Sequence, residues 1–210
     1  MRMLFLVIEG IDGSGGTTQA RLLARWLRDN GAREVLETCE PSRGPVGTFI
    51  RRALDPSDPA ASIGDTVLPY LFAADRRDHL DSEIVPALER GAVVVSDRYY
   101  HSSLAYQSLA IGMAAVAQLN AGFRAPDLTL FLDLDPVECL RRVQARGGAR
   151  ERFEALDRLR LVQDNYQSVL VTCRSMGERV ARIDASGTVE KVHGLVVSEV
   201  QALMAARGLT

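Results

Sequence analysis

Glu9-Gly10-Ile11-Asp12-Gly13-Ser14-Gly15-Gly16-Thr17-Thr18-Gln19 joins two segments of different periodicity. Before it runs Met3-Leu4-Phe5-Leu6-Val7-Ile8, with the length and apolar content of a fully buried strand. After it comes Ala20-Arg21-Leu22-Leu23-Ala24-Arg25-Trp26-Leu27, where apolar residues recur at helical spacing. A strand that enters a helix through a glycine-rich turn aims several backbone N–H groups and the positive end of a helix dipole at one point. That arrangement suits a polyphosphate such as ATP. The spacing from Gly10 to Gly15, then Thr17, fits G-x-x-x-x-G-K-[ST] at every fixed position except one, because Gly16 fills the lysine slot. The glycines let the backbone curl and the Thr17 hydroxyl can ligate Mg²⁺, but the lysine is the point charge on the β- and γ-phosphates. Its loss predicts weaker ATP binding or slower transfer unless another cation reaches in. The alternative is a glycine-rich turn with no ligand.

The chain has 210 residues, 47% hydrophobic and 25% charged, with a net charge of -2. That length predicts one well-filled α/β domain over 1–210. The charge balance gives no reason to expect nucleic acid or a membrane surface as partner, and no apolar run approaches the roughly 20 residues that span a bilayer. A cytoplasmic protein is expected. The three cysteines, Cys39, Cys139 and Cys173, are widely spaced and read as reduced thiols that fill structure.

Along the chain, Glu34 to Thr38 reads as a second strand that ends in the turn-rich Glu40-Pro41-Ser42-Arg43-Gly44-Pro45. Val46 to Leu54 predicts a short helix presenting Arg51 and Arg52, and Asp65 to Glu89 a helical stretch bent near Pro86. Ala92 to Ser96 is a third strand, with Asp97-Arg98-Tyr99 at the end where open parallel sheets bind ligands. Short helices follow over His101–Ala110 and Met113–Ala121, and a fourth strand over Leu128–Leu134. Asp135-Pro136 looks like a helix cap with proline in the first turn. Arg146 to Arg152 is basic and glycine-bearing, a candidate lid. A long helix over Phe153–Ser175, a last strand over Arg179–Asp184 and a helix over Val189–Ala206 complete a five-stranded parallel sheet with right-handed crossovers.

Together these pieces resemble thymidylate kinases, within the P-loop nucleoside monophosphate kinases. The resemblance covers nearly the whole chain: Glu9 to Gln19, Glu40-Pro41 with Arg51, Leu71 to Arg76, Asp97-Arg98-Tyr99, Ser102 to Gln107, and the lid at about 146–153 ending Arg152-Phe153-Glu154. It implies a three-layer P-loop fold in which Gly10, Ile11, Asp12, Gly13, Ser14, Gly15, Gly16, Thr17 and Thr18 cradle the nucleotide. Ala185-Ser186-Gly187 falls where the family packs adenine, mainly through backbone. Asp12 resembles the carboxylate that accepts from the dTMP 3′-hydroxyl, with a turn aspartate as the alternative. Phe72 and Arg76, four apart on one helix face, resemble the thymine-stacking ring and the donor to its O4; otherwise Phe72 is core and Arg76 a partner of Asp75 or Asp78. Arg51 is similar to the arginine on the dTMP phosphate, with Arg52 as competitor. Ser102 and Ser103 fall where the family contacts the base, Tyr106 where it crowds the sugar 2′ position, and Gln107 beside them. Arg98 resembles the arginine that holds both phosphates in line, and Asp97, Thr17 and Glu154 would surround Mg²⁺.

Thymidylate kinases carry a compensating arginine in the phosphate loop or the lid, and positions 11 to 15 hold none. The resemblance therefore points to Arg150 and Arg152, then Arg146, as the cations that offset Gly16. The implied reaction is direct in-line transfer from ATP to dTMP, giving ADP and dTDP, in a homodimer. A nucleotide-binding pseudokinase, or a kinase for another deoxynucleoside monophosphate, are the alternatives.

Overall fold

The computed structural model describes residues 3–145 and 152–209, with residues 152–154 as backbone only. Strand β1 (Leu4–Glu9) is buried along its whole length. It is flanked on one side by β3 (Val93–Asp97) and on the other by β4 (Leu128–Asp133), with β2 (Val35–Cys39) and β5 (Val180–Asp184) outermost. All pairs are parallel and the order is β2-β3-β1-β4-β5. The chain leaves β1 for the β3 side and later returns to the β4 side. The switch point thus lies at the carboxyl end of β1, where open sheets form their binding crevice.

Successive β1 side chains enter opposite cores, as the period of two requires. Leu4, Leu6 and Ile8 pack with Leu23 and Leu27 of α1 (Gly16–Asp29) and with Val196 and Val200 of α10 (Val189–Ala206). Phe5 and Val7 pack with Leu80, Ile84 and Leu88 on the other face. Helix α9 (Arg152–Ser175) serves both layers, through Val162 and Tyr166 on one and Val169 and Cys173 on the other. The expected cap of α8 (Pro136–Ala145) forms: Asp135 Oδ1 accepts from Val137 N–H at 2.8 Å, with Pro136 as first residue. Thr188 likewise caps α10.

The bend expected near Pro86 falls one turn earlier. Helix α3 (Leu68–His79) opens into a π-turn over Leu80–Ile84 before α4 (Val85–Glu89), and Val85 N–H donates to Leu80 O. Proline at the second position of α4 offers no N–H to the preceding turn, and the wider turn absorbs the mismatch. Helix α2 (Pro45–Ala53) follows β2, and α5 (Tyr100–Tyr106), α6 (Ser108–Ile111) and α7 (Met113–Leu119) fill the span between β3 and β4. Among the described residues no helix is long and apolar enough to cross a membrane.

Candidate active site

The loop between β1 and α1 closes on itself because glycines take conformations other residues avoid. Gly13 and Gly15 have φ of +94° and +105°. A Cβ on Gly13 would lie 2.3 Å from the Cys139 carbonyl, so α8 packs directly on the loop backbone. The loop encloses a cavity of about 470 Å³ lined by residues 10–18, Asp97, Arg98 and Val143. Among the described residues, a Cβ on Gly16 would meet only Asp97, with Oδ1 at 2.8 Å. The carboxylate thus stands where a side chain at position 16 would begin. Its other oxygen accepts from Thr17 Oγ1 at 2.6 Å. Burial pushes the Asp97 carboxyl above its ordinary range, and Thr17 and Arg98 only partly offset that.

Arg98 follows Asp97 with φ +73°, a left-handed conformation for a non-glycine residue. Its N–H donates to Ile8 O at 2.9 Å, which ties the turn to β1. The guanidinium donates to Asp12 Oδ1 at 2.7 Å and Ser102 Oγ at 3.1 Å, and lies 5.1 Å from the Tyr106 ring centre. Tyr106 Oη in turn accepts the Asp12 N–H at 3.0 Å. Burial first, moderated by Arg98, pushes the Tyr106 hydroxyl up to about 12, so it stays protonated near neutrality.

A second cavity of about 600 Å³ opens beside the first and shares Asp12, Thr17, Asp97 and Arg98 with it. Its lining also includes Phe72 and Arg76 of α3, Arg51 of α2, and Ser102, Ser103, Tyr106 and Gln107. Arg76 is buried and paired with Glu40, Nη2 to Oε2 at 2.7 Å, not with Asp75 or Asp78. It also donates to Asn120 Oδ1 and, at 3.0 Å, to Ser103 Oγ. Asp75 instead accepts from Ser42 N and Ser42 Oγ, each at 2.6 Å, pinning the loop after β2. Of the two adjacent arginines, Arg51 donates to Pro41 O and faces the cavity, whereas Arg52 pairs with Asp58 at 2.9 Å outside it.

Ala185 is buried, donates to Asp133 O at 2.9 Å, and lines neither cavity. Arg146 and Arg150 lie outside the described residues, and Arg152 and Glu154 are placed only as backbone in the first turn of α9. The sequence reading assigned no individual role to Glu9 or Glu40, though both lie in segments that carry the resemblance, and none to Arg158, an exposed residue of α9 on the larger cavity. A carboxylate ending an otherwise apolar strand, as Glu9 does, was the available signal.

A family model described as thymidylate kinase matches residues 8–196. The chain is similar to a probable thymidylate kinase of Pyrococcus horikoshii, 39% identical over 204 residues covering 96% of this chain and 97% of that one. A thymidylate kinase of Xanthomonas campestris pv. campestris is 39% identical over 198 residues, covering 93% and 83% of the two chains. Another from Ruegeria pomeroyi is 48% identical over 155 residues, 72% of each.

Proposed function

The chain belongs to the thymidylate kinase family, and from that premise we propose that it transfers the γ-phosphoryl group of ATP to dTMP, giving ADP and dTDP. One observation carries the reading: two cavities of different chemistry meet at four side chains, Asp12, Thr17, Asp97 and Arg98. The first is walled by backbone suited to a triphosphate. The second has an aromatic ring and buried donors suited to a flat base, and Arg51 lines it as well. Two anionic ligands seated in them would meet phosphate to phosphate at Arg98. Since dTMP is already anionic at neutral pH, alignment and charge neutralisation carry the rate and no strong base is required.

In this reading Phe72 stacks on thymine, Arg76 and Ser103 recognise its edge, Arg51 holds the dTMP phosphate, and Tyr106 and Gln107 line the sugar. Asp12 is held off the loop by Arg98, a position from which it can accept from a sugar hydroxyl. The Thr17 hydroxyl and the Asp97 carboxylate, 2.6 Å apart, are hard oxygen donors that suit Mg²⁺. Bound there, the ion would neutralise phosphate charge. Residues 146–153 act as the lid of a single domain over 1–210, with Arg150 and Arg152 supplying charge at the donor side.

A coupled ADP-release assay with dTMP, dUMP, dGMP and dCMP tests this. Turnover is expected with dTMP well above the others. Tight dTMP binding with no turnover for any acceptor would favour the pseudokinase. Arg150→Ala and Arg152→Ala are each expected to lower kcat about tenfold or more; a loss of no more than a few-fold in both removes the lid from the charge account.

A further inference from the structure

Glu9 ends β1 directly behind the phosphate loop, and only 1% of it is exposed. Its carboxylate accepts from Tyr99 N at 2.8 Å, Ser102 N at 3.3 Å, Ser102 Oγ at 2.6 Å and Tyr166 Oη at 2.8 Å. Two of those donor residues, Tyr99 and Ser102, belong to the segment that immediately follows Arg98. The left-handed turn that aims the guanidinium is thus fastened at its next residue and at the residue its Nη1 touches, both by one carboxylate. A protonated or displaced Glu9 would lose several of these bonds together.

A fully buried carboxylate stays ionised only where hydrogen bonds and nearby cations offset its desolvation. His101 meets that need from the first turn of α5: its Nδ1 stands 3.6 Å from Glu9 Oε1, an ion-pair distance. The ring is wholly buried, stacked on Tyr100 at 4.2 Å between centres. From the other side its Nε2 faces Glu178 Oε2 at 3.1 Å, with Thr129 Oγ1 at 3.5 Å and Cys173 in the same cluster. The ring is thereby held between two carboxylates, and it lines neither cavity.

We propose that His101 is a positioning residue for Arg98, acting through Glu9 as the buried cation that keeps that carboxylate ionised and its hydrogen bonds in place. The proposal rests on the reading of Arg98 as the arginine that aligns the two phosphates. Phosphoryl transfer would then depend on a side chain that never meets either nucleotide.

The test compares steady-state kinetics of Arg98→Ala, His101→Gln, Glu9→Gln and the double variant His101→Gln/Glu9→Gln, normalised to folded enzyme by ADP-binding stoichiometry. Arg98→Ala is expected to lose about a hundredfold or more in kcat. His101→Gln should lose about tenfold in kcat with KM for ATP within about twofold, because His101 lines neither cavity and the loop backbone keeps its own turns. The double variant should be no worse than the poorer single one, since both changes break the same chain of contacts. His101→Gln at wild-type kcat beside a crippled Arg98→Ala overturns the proposal alone, as do losses that multiply in the double variant. Normal turnover by Arg98→Ala overturns the reading beneath it as well. If His101→Gln does not fold, Glu178→Gln decides: a loss of a few-fold in kcat supports the proposal, and no loss overturns it.

Discussion

Position 16 concentrates the difference between this loop and the usual phosphate-binding pattern. Removing the lysine deletes a charge, but it also frees the space beside Asp97, whose Oδ1 has come within 2.8 Å of where a Cβ would stand. A bare methyl group there would push on the carboxylate and disturb its bond to Thr17 without restoring charge. Gly16→Ala is therefore expected to lower kcat several-fold. Gly16→Lys makes the same push, but the obstruction is the end of one side chain, and the ammonium recovers a charge-assisted contact worth about 1.5–3 kcal/mol. Its affinity for ATP analogues should rise about tenfold, as measured by calorimetry; an unchanged affinity would mean that an arginine already serves the slot. Arg51 shows where residue-level reading runs short. Two neighbouring arginines are equivalent in sequence, and only the turn carbonyl at Pro41 and the carboxylate of Asp58 sort one inward and one outward.

At the level of elements, most of the architecture was legible, because buried parallel strands are apolar on both faces and stand out as unbroken runs. The glycine loop, the Asp135-Pro136 cap and the limits of α10 were readable from local chemistry alone. What escaped were the buried partnerships between distant segments that support the site from behind: Arg76 with Glu40, 36 residues apart in sequence, and Glu9 with Ser102 of α5. Such pairs depend on which strand ends the topology brings together, and no local pattern records that. The Glu9–His101 pair makes a pH prediction for the packing of β1 against α5. Burial alone would push the histidine down, but Cys173, Glu178 and Glu9 hold it well above its usual 6.5. Burial alone would push Glu9 up, but His101, Ser102 and Arg98 leave it below its usual 4.5. The histidine's contribution is complete below 6.5 and lost as pH rises through its folded value. The glutamate's is complete above 4.5 and lost as pH falls through its folded value. Wild type should thus exceed His101→Gln in urea midpoint most between about pH 5 and 6, the gap narrowing on both sides; a gap independent of pH would refute the ionised pair.

At the scale of the molecule, the same helices that wall the larger cavity turn apolar side chains outward. Phe49 of α2 is 40% exposed and Tyr70 of α3 is 57% exposed, with Leu54 and Val67 also uncovered nearby in sequence. Each helix therefore has two obligations: Arg51, Phe72 and Arg76 face the cavity while Phe49 and Tyr70 face solvent. Exposed large apolar residues on adjoining helices favour a protein partner, and the homodimer implied by the family resemblance would cover them with their own counterparts. Sedimentation is expected to give a dimer for the wild-type chain and a monomer for Phe49→Asp/Tyr70→Asp, because a charge on a buried apolar contact costs several kcal/mol on each side of a two-fold interface. Since α2 and α3 also carry Arg51, Phe72 and Arg76, the residues proposed to hold the acceptor, the monomer should show a raised KM for dTMP with a nearly unchanged KM for ATP. A double variant that stays dimeric would place the interface elsewhere, and one that becomes monomeric with an unchanged KM for dTMP would separate assembly from acceptor binding.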